Sequence, residues 1–298
     1  MAIELVFLGT SSMVPTKDRN HSAIYVNFKG EGILFDCGEG TQRQIKIAGI
    51  KPSSIKKLFI SHWHGDHVLG IPGFIETLGH NDYSETLEIY GPKGTSENIK
   101  KMLSFFYQIS KIKYKVTELD SEQKVGTKDY EVTPYSLNHA IPCLGYAFKE
   151  KDRRRIKSAY LKKKGVEDGP HLRKLQEGKD LEWKGKIVKV DDATSLVSGK
   201  KIGFVFDTKL TDNCFKIANE ADVLISESTF SSSFEDNAKK FKHLTSVHAG
   251  KIAKESNAKL LYLTHFSQRF KDTKEILKEA KKEFKNTFVA EDFMKIKI

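Results

Sequence analysis

A chain of 298 residues with 39% hydrophobic content can bury a sizeable core, as one large domain or two intimate halves. No apolar stretch reaches membrane-spanning length, and Met1-Ala2-Ile3-Glu4-Leu5-Val6-Phe7-Leu8-Gly9 reads as a strand, not a basic leader with an apolar run. These features predict no membrane association and no signal peptide. Cys37, Cys143 and Cys214 are odd in number, scattered and in no Cys-x-x-Cys pair, which predicts reduced thiols in a cytoplasmic protein. The net charge of +11 is uneven: residues 151–189 hold 14 Lys or Arg against 6 Asp or Glu, and the rest of the chain 36 against 33. A charge run is often only a solvated face, so its meaning depends on its surroundings.

In chain order, a strand over 3–8 leads through Gly9-Thr10-Ser11-Ser12 to Pro15-Thr16-Lys17-Asp18-Arg19-Asn20, followed by strands over 22–28 and 32–35. The third strand enters Asp36-Cys37-Gly38-Glu39-Gly40-Thr41-Gln42-Arg43-Gln44, a tight turn before a short helix. Asp36 is either a turn acid or the carboxylate partner that a metal-bound imidazole needs.

The apolar run Leu58-Phe59-Ile60-Ser61 then delivers His62-Trp63-His64-Gly65-Asp66-His67, three imidazoles and a carboxylate in six residues. A loop after a strand can fold such side chains around a cation. Imidazole and carboxylate without thiolate suit Zn²⁺ and its borderline neighbours. The supply of ligands exceeds what one tetrahedral ion needs, so two metal ions are expected.

A helix over 68–78, kinked by Pro72 and Gly73, is followed by a strand over 87–90 and a helix over 95–108 with Ile99, Met102, Leu103 and Phe106 on its apolar side. Strands over 115–119 and 130–137 follow, the latter ending at Asn138-His139. Between strands 144–148 and 202–206 lies the basic segment. A helix-like stretch to Lys164 and the Gly169-Pro170 pair suggest a hairpin-like arm outside the core. Strand 202–206 ends at Asp207, whose two oxygens can bridge two cations. Strand 223–226 leads to Glu227-Ser228-Thr229-Phe230 and a Ser/Asn-containing loop, helix 246–255 follows, and strand 260–263 ends at Thr264-His265. Helix 272–284 and strands near Phe288 and over 294–298 close the chain. Strands and helices alternate in both halves, as in a four-layer αββα sandwich with its site on one rim. His21, His80, His171 and His248 lack a strand-end setting and are assigned to structure or surface.

His-x-His-x-Asp-His at a strand end resembles the metallo-β-lactamase superfamily, whose members share a sandwich of two mixed sheets between helices and mostly hydrolyse esters or phosphodiesters. The turn at 35–44, Pro15 to Asn20, Ser226 to Phe230, His243-Leu244-Thr245, His265 and the Gly169-Pro170 arm together resemble the ribonuclease Z family, tRNA 3′-processing endonucleases. That resemblance implies that His62, His64 and His139 hold one zinc, that Asp66, His67 and His265 hold the other, and that Asp207 bridges them. It assigns protonation of the leaving oxygen to His243 supported by Glu227. Asp66 is then placed both to ligate metal and to accept the nucleophile's proton. The arm becomes an exosite for precursor tRNA in a homodimer, with Arg153, Arg154, Arg155, Lys162, Lys163, Lys164, Gly169, Pro170, Arg173 and Lys174 as candidate contacts. Beside a hydrolytic metal site a polyanionic substrate explains the basic run better than solvation does, because each Lys or Arg near a phosphate releases counterions. A thioester or lactam hydrolase on the same fold would leave the arm unexplained, and a noncatalytic RNA-binding protein would leave the ligands unexplained.

Overall fold

The computed structural model describes residues 3–81, 83–107 and 112–298. The chain divides into two compact units, one of residues 1–125, 132–148 and 201–298, the other of 126–131 and 149–200.

The elements run β1 (Glu4–Gly9), β2 (Ala23–Phe28), β3 (Glu31–Phe35), α1 (Thr41–Ile47), β4 (Ile55–Phe59), α2 (Gly65–Val68), α3 (Ile71–His80), β5 (Thr86–Gly91), α4 (Thr95–Ser104), β6 (Lys113–Glu118), β7 (Val125–Gly126), β8 (Tyr130–Leu137) and β9 (Cys143–Glu150). After β10 (Arg153–Ile156), α5 (Ser158–Lys163), α6 (Arg173–Gln176), β11 (Leu181–Trp183), β12 (Lys186–Val188), α7 (Val190–Ala193) and β13 (Thr194–Val197), the larger unit resumes. It continues with β14 (Lys201–Val205), α8 (Asp212–Ala218), β15 (Val223–Glu227), α9 (Glu235–Phe241), α10 (Ser246–Glu255), β16 (Leu261–Thr264), α11 (Lys274–Glu283), β17 (Thr287–Val289) and β18 (Lys295–Lys297).

Among the described residues two seven-stranded sheets form, ordered β18-β1-β2-β3-β4-β5-β6 and β17-β16-β15-β14-β9-β8-β7. The first is antiparallel from β18 to β3 and parallel from β3 to β6, and β14 to β17 are parallel in the second. Alternation along the strands sends neighbouring residues to opposite faces. Leu34 and Leu58 join Ile45 of α1, Phe74 and Ile75 of α3 and Ile99 of α4 in one buried cluster. Phe35 and Phe59, one residue along, face the other sheet, where the Phe35 ring stacks on Phe204 with centroids 4.0 Å apart and Phe59 meets Tyr146 at 5.3 Å. Burial of each such ring contributes about 1.5–3 kcal/mol. The Tyr146 hydroxyl also donates to the Ile60 carbonyl at 2.6 Å, tying the second sheet to the chain just before the first histidine. With α8, α10 and α11 against the second sheet, the larger unit is the expected αββα sandwich.

Three local expectations are corrected. Pro72 sits in the first turn of α3, where its missing N–H is no loss, so it starts the helix and does not kink it. The Ser/Asn-containing stretch after Phe230, expected as a loop, forms a 3₁₀ turn over Ser232–Phe234 and then helix α9, and α8 is a further helix that the sequence pattern does not announce. The helix from Thr95 ends at Ser104, and Gln108 lies outside the described residues.

The smaller unit is not a simple hairpin. Its Leu161, Val166, Leu172, Leu175, Leu181, Val188 and Ala193 form a buried cluster, with Ile156, Tyr160, Trp183 and Val190 packed around it. β10 pairs with β13 and β11 with β12.

Candidate metal centre

Four strand ends supply the cluster. His62 and His64 follow β4, His139 follows β8, Asp207 follows β14 and His265 follows β16. Asp66 and His67 lie on the helical turn α2, so the second half of the ligand-rich stretch is helical where a loop is expected. That turn is held from below: the Cys37 amide donates to the His67 carbonyl at 2.8 Å and the Gly70 amide to the Cys37 carbonyl at 2.9 Å. A Cβ on Gly38 would lie 2.3 Å from the Asp66 carbonyl oxygen, so only glycine allows this approach.

Partners behind four of the five ligand imidazoles fix their tautomers. His67 Nδ1–H donates to Asp36 Oδ2 at 2.6 Å, and His139 Nδ1–H donates to the Lys242 carbonyl at 3.1 Å. The Ser61 hydroxyl donates to Asp36 at 2.8 Å and so accepts from His62 Nδ1–H at 2.9 Å. Thr229 donates to Glu227 at 2.6 Å and accepts from His265 Nδ1–H at 2.9 Å. Each of these four rings is left with a lone pair on Nε2, and those lone pairs converge. His62 Nε2 and His64 Nδ1 are 3.0 Å apart, His139 Nε2 and His64 Nδ1 3.1 Å, and His67 Nε2 and His265 Nε2 3.2 Å.

Facing lone pairs repel unless a cation lies between them. A tetrahedral Zn²⁺ with nitrogens at about 2.0–2.1 Å spaces its donors about 3.3 Å apart. Asp207 stands between the two groups, its Oδ2 3.6 Å from His62 Nε2 and its Oδ1 3.5 and 3.4 Å from His67 and His265 Nε2. Asp66 Oδ2 completes the second group at 3.4 and 3.3 Å from the same two nitrogens. Asp66 Oδ1 and Asp207 Oδ1 are buried and accept no hydrogen bond, a costly state for an ionised oxygen without a cation. His62, His64, His139 and Asp207 could thus hold one metal ion, and Asp66, His67, Asp207 and His265 another. The donor set fits a divalent metal.

Titration follows the same charges. Burial opposes charge on His67, but the carboxylates of Asp66, Asp207 and Asp36 outweigh it and hold the ring well above its ordinary pKa. Burial pushes His62 well down, and neighbouring His67 adds to that. Burial would raise Asp207, yet the rings of His265, His67 and His243 hold it well below the carboxylate range. The acids demand positive charge, which protons or metal cations can meet.

His243 lies outside the two groups. Its Nδ1 is 3.1 Å from both Glu227 oxygens and 3.3 Å from Thr229 Oγ1, and its ring stacks near His265 with centroids 5.6 Å apart. Burial would lower its pKa, but Glu227 and then Asp207 reverse this and raise it to about 9. Glu227 also accepts from the Thr208 amide at 2.8 Å, the residue after Asp207. A cavity of about 670 Å³ opens over Asp66, His139, Asp207, His243 and His265, walled by Met13, Phe241 and Arg269. Asp36, Lys242 and His265 have φ of 57°, 55° and 60°. Non-glycine residues rarely adopt this conformation, and strain of this kind gathers at functional sites.

Ser61, Thr229 and the Lys242 carbonyl are not foreseen from the sequence. The first two are small hydroxyls beside the ligand-bearing motifs, and a backbone carbonyl leaves no mark in a sequence.

Residues 16–152 match the metallo-β-lactamase superfamily model. A ribonuclease Z of Methanothermobacter thermautotrophicus is 38% identical over 297 residues, covering 99% of this chain and 97% of its own. One from Archaeoglobus fulgidus is 37% identical, covering 100% and 98%. The chain belongs to the ribonuclease Z family. The crystal structure of human tRNase Z, short form, superposes with a TM-score of 0.72 at 30% identity over 98% of each chain. The similarity of this ribonuclease Z family member to that structure therefore runs over nearly its whole length.

The basic candidates occupy the smaller unit. Arg153, Arg155, Lys162, Lys163, Lys164, Arg173 and Lys174 are exposed, as is Pro170, with Gly169 half-buried. Arg154 is half-buried and donates to Asp191 at 2.8 Å and Thr194 at 3.0 Å, and Arg173 donates to Glu177 at 2.8 Å. His171 stacks on Trp183 with centroids 4.3 Å apart, a structural use of that histidine. His80 is exposed, His21 is buried with Nε2 3.1 Å from the Met13 carbonyl, and His248 completes the capping box of α10. Among the described residues no helix is long and apolar enough to cross a membrane.

Proposed function

We propose that this protein is a zinc-dependent endoribonuclease that removes the 3′ trailer from precursor tRNA and leaves a 3′-hydroxyl on the tRNA. The convergence of six side chains around Asp207, with His243 braced on Glu227 beside them, carries the reading. His62, His64 and His139 would hold one Zn²⁺ and Asp66, His67 and His265 a second, with Asp207 shared between the two groups. Bound there, Zn²⁺ supplies Lewis-acid charge to the phosphoryl group and lowers the pKa of a water, to about 7 for a single ion.

The chain's own groups do the rest. Asp66 Oδ1, free of hydrogen bonds, accepts the proton of the attacking water. A 3′-hydroxyl product requires rupture of the bond between phosphorus and the 3′-oxygen, so that oxygen is the leaving group and needs a proton. His243 donates it from Nε2, because Nδ1 is engaged by Glu227, and Glu227 keeps the ring protonated. The exposed cations of residues 151–189 bind tRNA phosphates away from the cut and read shape more than sequence. The enzyme acts in the cytoplasm as a homodimer.

Incubation with an end-labelled precursor tRNA and Zn²⁺ tests the whole reading: one cut at the trailer junction with a 3′-hydroxyl on the tRNA is expected. No cut, or hydrolysis of a thioester in its place, would refute it.

A further inference from the structure

His243 and Glu227 lie on two short segments that run side by side. Phe230 and Thr245 form a parallel bridge, the Ser246 amide donates to the Phe230 carbonyl at 3.0 Å, and the Phe230 amide donates to the Leu244 carbonyl at 3.4 Å. Glu227 opens the first segment and His243 the second. Ser232 and Ser246 stand at their far ends, and both are bound by one side chain from a third element. Glu279 of α11 accepts from the Ser232 amide at 2.9 Å, from the Ser232 hydroxyl at 2.6 Å and from the Ser246 hydroxyl.

We propose that Glu279 is a positioning residue for proton donation. It clamps the two segments together and so keeps His243 against Glu227. Two backbone hydrogen bonds and one bridge give this pair little stiffness of its own. Ser232 opens a short 3₁₀ turn, Ser232–Phe234, after a strand end and Ser246 lies in the first turn of α10, so each could shift without disturbing the sheet. Charge-assisted hydrogen bonds from three donors to one carboxylate resist that shift. Asp36 and Ser61, behind His67 and His62, lie off these segments, and Thr229 and the Lys242 carbonyl are tied to His265 and His139 by hydrogen bonds of their own, so loss of the clamp should spare the metals and impair the proton transfer.

The inference rests on His243 as proton donor, and its test separates the two claims. Two precursor tRNAs are compared, one natural and one with sulfur in place of the scissile 3′-oxygen, a leaving group that needs no proton. His243→Ala should slow the natural substrate and spare the sulfur one. An equal loss on both would overturn the donor role and the clamp with it. Glu279→Ala should lower kcat on the natural substrate about 10–100-fold, the cost of a misplaced group, with KM, zinc content and the sulfur substrate unchanged. Glu279→Gln should restore the rate, since an amide oxygen can accept from the Ser232 amide and Ser246 while its NH₂ donates to the Ser232 hydroxyl. Ser246→Ala cuts the clamp from the other side and should reproduce the selective loss. The double variant His243→Ala/Glu279→Ala should be no slower than His243→Ala alone. Additive losses, or equal slowing of both substrates by Glu279→Ala, would make Glu279 a structural tie only.

Discussion

The metal centre and the smaller basic unit hold their charges in opposite ways. Asp66, His67 and Asp207 are almost wholly buried, and each is set by partners that are themselves buried. Arg153, Arg155 and Lys162 to Lys164 are exposed on a unit whose apolar core contains none of them. Buried charge in a low dielectric acts strongly at fixed geometry, while exposed charge acts at longer range and is screened by salt. The first arrangement suits reaction chemistry, and the second would suit recognition of a large polyanion.

The contrast fails most visibly if metal can be removed without effect. Dialysis against a chelator should abolish precursor cleavage, lower Tm through loss of a native-state ligand, and leave activity recoverable with Zn²⁺. Retained activity in metal-free protein, checked by elemental analysis, would end the two-metal reading.

Asp36 tests how far the buried arrangement depends on support behind the ligands. Asp36→Asn keeps the shape but removes the charge that holds His67 Nδ1–H, and should cost about 10–100-fold in metal affinity or activity. Zinc titration of the purified variant reads it directly. An unchanged affinity would show that the helical turn alone holds His67.

The exposed arrangement should answer to salt. Replacing Lys162, Lys163 and Lys164 with Ala should raise KM for precursor tRNA and leave kcat unchanged. It should also flatten the salt dependence of binding by about one unit of log–log slope for each phosphate no longer neutralised. Arg154→Ala should change the slope least, since Arg154 already pairs with Asp191 and Thr194 within its own unit. A fall in kcat from the lysine substitutions would mean that this unit takes part in the reaction.

Much of this protein was determined by its sequence. Short apolar strands that end one to three residues before His62, His139, Asp207 and His265 mark both the sandwich and its functional edge, because each strand end fixes where the chain delivers the next side chains. α10 is legible to the residue, since Thr245 before Ser246 is a strong N-terminal signal for a helix. α9 escaped notice because Ser231 to Ser233 just before it, and Asp236 and Asn237 in its first turn, carry turn-forming side chains, and the helix is decided by packing. The smaller unit's core was hidden for a similar reason: Leu161, Leu172, Leu175 and Leu181 are spread among charges, and only the folded chain brings them together. Tertiary structure alone decided the imidazole tautomers, through Asp36, Ser61, Thr229 and the Lys242 carbonyl, and it alone brought Glu279 to the serines beside His243. Those interactions join residues remote in sequence and rest on directional hydrogen bonds, which leave no period in the chain to be read.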